Sequence, residues 1–260
     1  MIAAQRRALI LEQVRRLGGA SIGDLSDSIG VSLSTIRRDL DYLTREGYLV
    51  RSHGGALLAE AQRSTFEPLR EIGVHLARGA KVAIGRRAAD LVENGQSVIF
   101  DSSSTVLEAA RAVVARRLRL TACTNDIAIA AVLSAGESIQ VIVLGGSVRA
   151  GSLTLVGDPG QSFLDRLHAD VAFIGIHSLA LGRLTETSLE VAAMKRRMIE
   201  CAAQVVVLAD SSKFAHPAFC DVCPLERADI VVTDDGLAPE PRGALGELDV
   251  ETVIAAVGGD

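Results

Sequence analysis

Residues 32–46, Ser-Leu-Ser-Thr-Ile-Arg-Arg-Asp-Leu-Asp-Tyr-Leu-Thr-Arg-Glu, decide the fold of the first part of the chain. Ile36, Leu40 and Leu43 recur at i, i+4 and i+7, which predicts a helix with one apolar stripe. Ser34, Thr35, Arg37 and Arg38 fall off that stripe, near the helix N-terminus. In a helix-turn-helix that end meets base edges in the major groove. Hydroxyls and N–H groups there hold phosphate, and a guanidinium bridges phosphates or the O6/N7 edge of guanine. An Arg-Arg pair alone is ordinary helix surface, so the flanking sequence carries the weight. Residues 5–17 predict an amphipathic helix with Leu9, Ile10, Val14 and Leu17 apolar, and Ile22 to Ile29 a shorter one with Leu25 and Ile29 on one face. Gly30-Val31-Ser32 then turns tightly into the third helix, the order that tri-helical DNA-binding domains use. Ser32 is a good N-cap and Gly47 a good residue just past the helix end. Tyr48 to Arg51, His53-Gly54-Gly55 and Ala56 to Leu58 read as strand, turn and strand, a wing.

Charge bounds how such a head works. Residues 1–60 hold eight Arg, no Lys and seven acids, a net +1, whereas the remaining residues carry a net −6. DNA-binding surfaces are often strongly basic. Here the useful charge is local, on Arg37, Arg38, Arg45 and Arg51, so affinity is expected to need two heads and to fall as salt rises. No run of eighteen apolar residues and no apolar leader after Met-Ile-Ala-Ala-Gln-Arg-Arg point to a membrane span or secretion, so a cytoplasmic protein is expected. Cys123, Cys201, Cys220 and Cys223 are then expected as free thiols.

With 260 residues, the chain has room for a small head and one larger domain. The expected organisation is a head at 1–58, a linker at 59–70 and a second domain at 71–260. The break is placed where Ala59 to Pro68 interrupts apolar periodicity. Beyond it, predicted helices (74–92, 105–114, 126–133, 158–167, 189–202) alternate with predicted strands (97–100, 118–123, 139–144, 171–176, 204–209, 230–233, 251–255). The fold class is therefore a small N-terminal α+β winged helix-turn-helix, then a larger α/β domain with a mostly parallel sheet covered by helices. Ligands of such sheets bind at the carboxyl ends of strands.

Polar turns cluster at those ends. Asp101-Ser102-Ser103-Ser104-Thr105 follows one strand and opens a helix, so its hydroxyls and free N–H groups suit a phosphate, although the same residues are also good caps. Thr124-Asn125 and Leu144-Gly145-Gly146 follow the next two strands, and each also has a plain reading as cap or turn. Asp210-Ser211-Ser212-Lys213 follows a fourth, where a lysine either neutralises an anion or is simply exposed.

In order and spacing, Val31 to Leu40, His53-Gly54-Gly55-Ala56, Thr124-Asn125, Leu144-Gly145-Gly146, Asp210 to Phe214 and Thr233-Asp234 resemble the DeoR-type regulators of bacterial sugar metabolism, over nearly the whole chain. The resemblance implies a winged-helix head and a sensor similar to ribose-5-phosphate isomerase, acting as a repressor released by a phosphorylated sugar. Carried over residue by residue, DNA contacts fall on Ser32, Ser34, Thr35, Arg37, Arg38, Arg51 and His53. Effector contacts fall on Asp101, Ser102, Ser103, Ser104, Thr105, Thr124, Asn125, Gly145, Gly146 and Lys213. The partners expected are double-stranded operator DNA, a small phosphorylated sugar and further copies of the chain, as a dimer or larger, with no cofactor. Two positions depart from the family pattern Asp-Ser-Gly-Thr-Thr: Ser104 stands at the first threonine, and Ser103 at the glycine, which would permit φ > 0 and close backbone approach.

Two other classes fit the sequence less well. An isomerase needs a carboxylate base; Glu190 is a candidate, but Phe173 to Ser178 has no carboxylates where the isomerases carry an acidic motif, so no enzyme is expected. A metal sensor built on His216, Cys220 and Cys223 lacks a second ligand pair at zinc spacing, and no metal is expected. His168 and His177 have no evident partner in the sequence.

Overall fold

A computed structural model describes residues 1–59, 64–214, 216–248 and 250–258. The chain forms two compact units, Met1–Arg78 and Gly79–Asp260.

In the first unit, helices α1 (Ala3–Leu17), α2 (Ile22–Ile29) and α3 (Leu33–Arg45) surround a core in which Ile10, Val14, Leu25, Ile36, Leu40 and Leu43 are fully buried. The α3 stripe is the predicted one, and each such side chain contributes about 1.5–3 kcal/mol by leaving water. Leu9 and Leu17, predicted on the apolar face of α1, are instead exposed, and Ala8 and Leu11 take the inner positions. Ser32 caps α3 by accepting from Thr35 N, and Gly47 follows its end with φ 79°. The wing pairs β2 (Leu49–Ser52) with β3 (Gly55–Leu58), and a third strand, β1 (Gly19–Ser21), joins on the far side of β3. Gly-Ala-Ser has no β-branched residue and only three positions, so its strand is not legible in sequence.

The predicted linker at 59–70 needs correction. Glu60 to Arg63 lie outside the described residues. The remainder packs on the head: Phe66 meets the Tyr48 ring edge-on at 5.0 Å, Leu69 N donates to Tyr48 Oη at 2.6 Å, and Ile72 of the short helix α4 (Arg70–Gly73) is fully buried in the head core. The predicted helix 74–92 is accordingly shorter. Residues 74–77 form turns after α4, Ala77 has φ 50° and donates its N–H to Glu12, and the helix runs as α5 (Arg78–Ala89).

The second unit is built on seven strands, β4 (Ser97–Phe100), β5 (Leu120–Thr124), β6 (Ile139–Val143), β9 (Ala169–Gly175), β12 (Ala202–Leu208), β14 (Ile230–Asp234) and β15 (Glu251–Ala255). They lie in the order β15-β14-β12-β9-β4-β5-β6 and every pair is parallel. Alternation divides their side chains: Val98, Phe100, Val206 and Leu208 pack with α5, α6 (Ser104–Ala115) and α7 (Ile127–Leu133), while Ile99, Val205 and Val207 pack with α8 (Gly160–Leu164), α9 (Leu189–Glu200) and α10 (Pro239–Gly246). Burial on both faces is what the β-branched runs predicted. The antiparallel pieces were missed: β7 (Ser147–Val148) with β8 (Leu155–Val156), and β10 (Ser178–Ala180), β11 (Arg183–Glu186) and β13 (Cys220–Pro224). They span two to five residues, too short for a period-2 signal.

Candidate functional site

On the head, Ser32 Oγ lies 3.0 Å from Ser34 Oγ and 2.9 Å from Thr35 Oγ1, a hydroxyl cluster at the N-terminus of α3. Arg37 and Arg38 are exposed on the outer face of that helix and have no ion-pair partner among the described residues. Arg51, at the wing, is held by Asp41 of α3 at 2.9 Å, so its guanidinium is already committed within the head, and Arg45 pairs with Glu46 at 3.7 Å. His53 is exposed in the wing turn.

In the second unit, strand register places the ends of β4, β5, β9 and β12 along one edge: Phe100 pairs with Thr124 and Phe173, and Leu208 with Gly175. The β4–α6 turn is organised by Asp101, whose Oδ1 accepts from Ser103 N (2.8 Å) and whose Oδ2 accepts from Gly175 N (2.9 Å). Ser103 Oγ accepts from Val106 N at 3.1 Å and so caps α6. Ser104 and Thr105 are the first two residues of that helix, and their N–H groups have no intrahelical acceptor. The concern over Ser103 is resolved by its backbone: φ is −83° and ψ 153°, extended geometry that needs no glycine. The glycine requirement has moved to Gly175, where an added Cβ would lie 2.0 Å from Ser103 Oγ. Ser103→Ala is expected to cost about 1 kcal/mol, the usual worth of a lost N-cap, read as a lowered denaturation midpoint.

Beneath this turn lies a cluster that sequence reasoning missed. Lys195 of α9 is buried, sits 3.2 Å from Asp101 Oδ2, donates to Glu186 of β11, and donates to Gly175 O at 2.6 Å. Burial pushes the Asp101 carboxyl up from its ordinary value. Burial alone would push Lys195 down, but the two carboxylates outweigh it and hold the ammonium above its ordinary range. A signal was present: Lys195 stands four residues after Val191 and four before Ile199, on the buried stripe of α9.

The other predicted positions differ in character. Thr124 Oγ1 accepts from Asp126 N, and Asn125 Nδ2 donates to Leu155 O at 2.9 Å, while Asn125 Oδ1 is buried with no hydrogen-bond partner among the described residues. Gly145 and Gly146 are closely packed: Cβ atoms there would lie 2.9 Å from Cγ of the Pro159 ring and 2.5 Å from the backbone oxygen of Val156. Lys213 is half-buried in the turn after β12, and its ammonium has no ion-pair partner among the described residues. Strands lie about 4.8 Å apart, so β12 and β6 sit about 19 Å from each other. That exceeds the length of a phosphorylated monosaccharide, and the compact grouping is the β4 turn with Thr124 and Asn125 beside it. Glu190 is exposed in the first turn of α9, and His168 is exposed. His216 is exposed and Cys220 donates to Glu186 O at 3.2 Å; among the described residues no three His, Cys, Asp or Glu side chains are grouped to hold a metal.

Two family matches divide the chain as the fold does. Residues 6–62 match the DeoR-like helix-turn-helix domain, and residues 77–235 match the DeoR C terminal sensor domain. The chain belongs to the DeoR family of transcriptional regulators. Among its relatives, the HTH-type transcriptional regulator GlpR of Haloferax volcanii is 34% identical, over 97% of this chain and 98% of GlpR. The HTH-type transcriptional repressor GlcR of Bacillus subtilis is 32% identical, over 90% of this chain and 89% of its own length. The transcriptional repressor AccR of Agrobacterium fabrum is 32% identical, over 89% of each. Ribose 5-phosphate isomerase A of Methanocaldococcus jannaschii aligns with 52% of this chain, covering 53% of its own, at a TM-score of 0.40 and 18% identity, a likeness too weak to carry chemistry across. In this DeoR-family protein the helix-turn-helix match covers the wing and α3, and the sensor match covers the Asp101 turn, Lys195 and Lys213. Among the described residues of the DeoR-family chain no helix is long and apolar enough to cross a membrane.

Proposed function

We propose that this DeoR-family protein is a repressor of a carbohydrate-metabolism operon, working in the cytoplasm, whose operator binding is controlled by a phosphorylated sugar. The observation that supports it best is the pairing of an α3 that presents exposed Arg37 and Arg38, without ion-pair partners among the described residues, with a sensor-family domain whose α6 N-terminus leaves two N–H groups open at a strand end. The phosphate sits on Ser104 and Thr105 N–H within the turn that Asp101 and Ser103 shape. Lys213 approaches from β12 and Asn125 from β5. Ser102 flanks the anion; Gly145 and Gly146 serve packing. Two copies associate so that two heads read successive half-sites, which suits a head of net charge +1. Asp101 and Glu186, the buried carboxylates of this turn and of β11 beneath it, both hold Lys195.

A ligand that binds only the native state raises stability, by about 2.7 kcal/mol at a hundredfold excess over Kd. Phosphorylated sugars are therefore expected to raise the melting temperature, and their unphosphorylated forms are not. A phosphorylated sugar that does so should also weaken binding to a duplex selected from a random pool by the protein itself. A panel with no stabilising phosphorylated member removes the sensor reading, and interconversion of ribose and ribulose 5-phosphates, lost in Glu190→Gln, replaces it with an enzyme.

A further inference from the structure

The segment that leads from the head to the sensor is fastened to the head by polar contacts as well as by Ile72. Leu69 N donates to Tyr48 Oη (2.6 Å), Ala77 N donates to Glu12 Oε1 (2.6 Å), and Tyr42 of α3 donates its hydroxyl to Glu71 Oε1 of α4 (3.1 Å). Arg7 of α1 joins this last contact. Its guanidinium lies 3.5 Å above the centre of the Tyr42 ring and reaches Glu71 at 4.0 Å. The same guanidinium donates through Nε to Asp39 Oδ1 at 3.1 Å, while Arg6 Nε donates to Asp39 Oδ2 at 2.5 Å.

Asp39 lies on the inner face of α3 and is 2% exposed. A lone carboxylate there would cost several kcal/mol, so the two arginines are what allow it to be buried. In return they hold α3 at two points, Asp39 and Tyr42, three residues apart on one side of the helix. Arg37 projects from the opposite side of α3 and Arg38, four residues before Tyr42, from beside that face, and both are exposed. A small rotation of α3 about this anchorage moves both arginines relative to a groove, and contact with base edges tolerates little displacement.

We infer that Glu71, acting through Tyr42 and Arg7, is a positioning residue for operator reading, so that α4 sets the pose of the recognition helix. The inference rests on the operator-binding function proposed above. It makes the connecting segment a working part of the head, continuous in the chain with the sensor domain that begins at Gly79.

The test is a double-mutant cycle in the full chain with Tyr42→Phe, Glu71→Gln and both together. Glu71 is 57% exposed, so neither change leaves a buried group unpaired. Binding is measured by fluorescence anisotropy at one salt concentration, on the selected duplex and on a scrambled duplex of the same length. Each single variant is expected to lose about three- to tenfold in affinity for the selected duplex, with scrambled-duplex binding nearly unchanged and the double variant no weaker than either single. Electrostatics alone predicts the opposite for Glu71→Gln, since removing a negative charge tightens both duplexes. Equal changes on both duplexes, or losses that simply add, would overturn the inference. A wild-type protein that prefers no duplex would instead sink the operator-binding reading, an outcome separable from the cycle.

Discussion

Lys195→Met is expected to destabilise the sensor domain by about 3–5 kcal/mol, the usual cost of removing one partner from a buried ion pair. The ammonium is the common partner of Asp101 and Glu186 and also donates to Gly175 O. Without it two buried carboxyl groups face each other, and Asp101 retains only the N–H groups of Ser103 and Gly175. Methionine fills the space but supplies no charge. One carboxyl must then take up a proton, and the folded variant does so at higher pH than its unfolded chain. The variant's deficit should therefore be smaller near pH 5 than near pH 8, because acid removes the uncompensated charge. In the wild type the raised Lys195 pKa works at the other end of the scale. Its contribution is fully present below the unfolded value, about 10.4, and is lost as pH rises through the folded value. Lys195→Met should lack that alkaline loss. Denaturant unfolding of the full chain across pH measures both limbs. A deficit that is independent of pH would mean that Lys195 acts only by packing.

The same variant bears on ligand binding. Asp101 shapes the turn that presents Ser104 and Thr105 N–H, and Lys195 holds Asp101, so a misplaced carboxylate is expected to shift the proposed anion site directly. Glu186→Gln, which keeps the length and a hydrogen-bond acceptor, should be milder in stability and should retain the sugar-phosphate response. Lys213→Ala should leave stability nearly unchanged while blunting that response.

The parts legible in sequence are those fixed by local pattern. The α3 stripe, the Ser32 cap and the parallel strands carried strong periodicity or β-branched runs, and each is an element of the structure. What escaped depends on distant partners. The Ala59 to Pro68 stretch lacks helical period and so read as a linker, yet Phe66 and Leu69 find Tyr48. The Asp101–Lys195–Glu186 cluster joins residues far apart in the chain that no spacing rule connects. At Gly145 and Gly146 glycine permits close packing against the Pro159 ring and the Val156 backbone, which sequence alone does not distinguish from close approach to a ligand. Ser103 looked like a departure that threatened the turn, and its extended φ shows that serine fits there as the helix cap.

Arg37→Ala is expected to cost about 1–3 kcal/mol of specific operator binding and to relax the sequence preference at one position of each half-site. Most of the arginines on or beside α3 and the wing are already engaged. Arg6 and Arg7 are bound to Asp39, Arg51 to Asp41 and Arg45 to Glu46, whereas Arg37 and Arg38 have no ion-pair partner among the described residues. An unpaired guanidinium loses nothing internal when it turns to DNA, so its truncation appears in binding and not in folding. Arg51→Ala supplies the comparison. It breaks an exposed pair worth about 0–1 kcal/mol and also frees Asp41, so its effect on specific binding should be smaller than that of Arg37→Ala. Base readout and phosphate contact then separate by salt. Loss of a phosphate contact weakens all duplexes alike and lowers the slope of log affinity against log salt by about one, whereas loss of a base contact leaves that slope nearly intact and narrows the gap between selected and scrambled duplexes. With the two heads proposed for one operator the number of lost contacts doubles, which places the effect in the range that a salt series of anisotropy titrations resolves. Unchanged affinity for the selected duplex in Arg37→Ala would remove α3 as the reading helix and shift the search to the wing, where His53 is exposed in the turn.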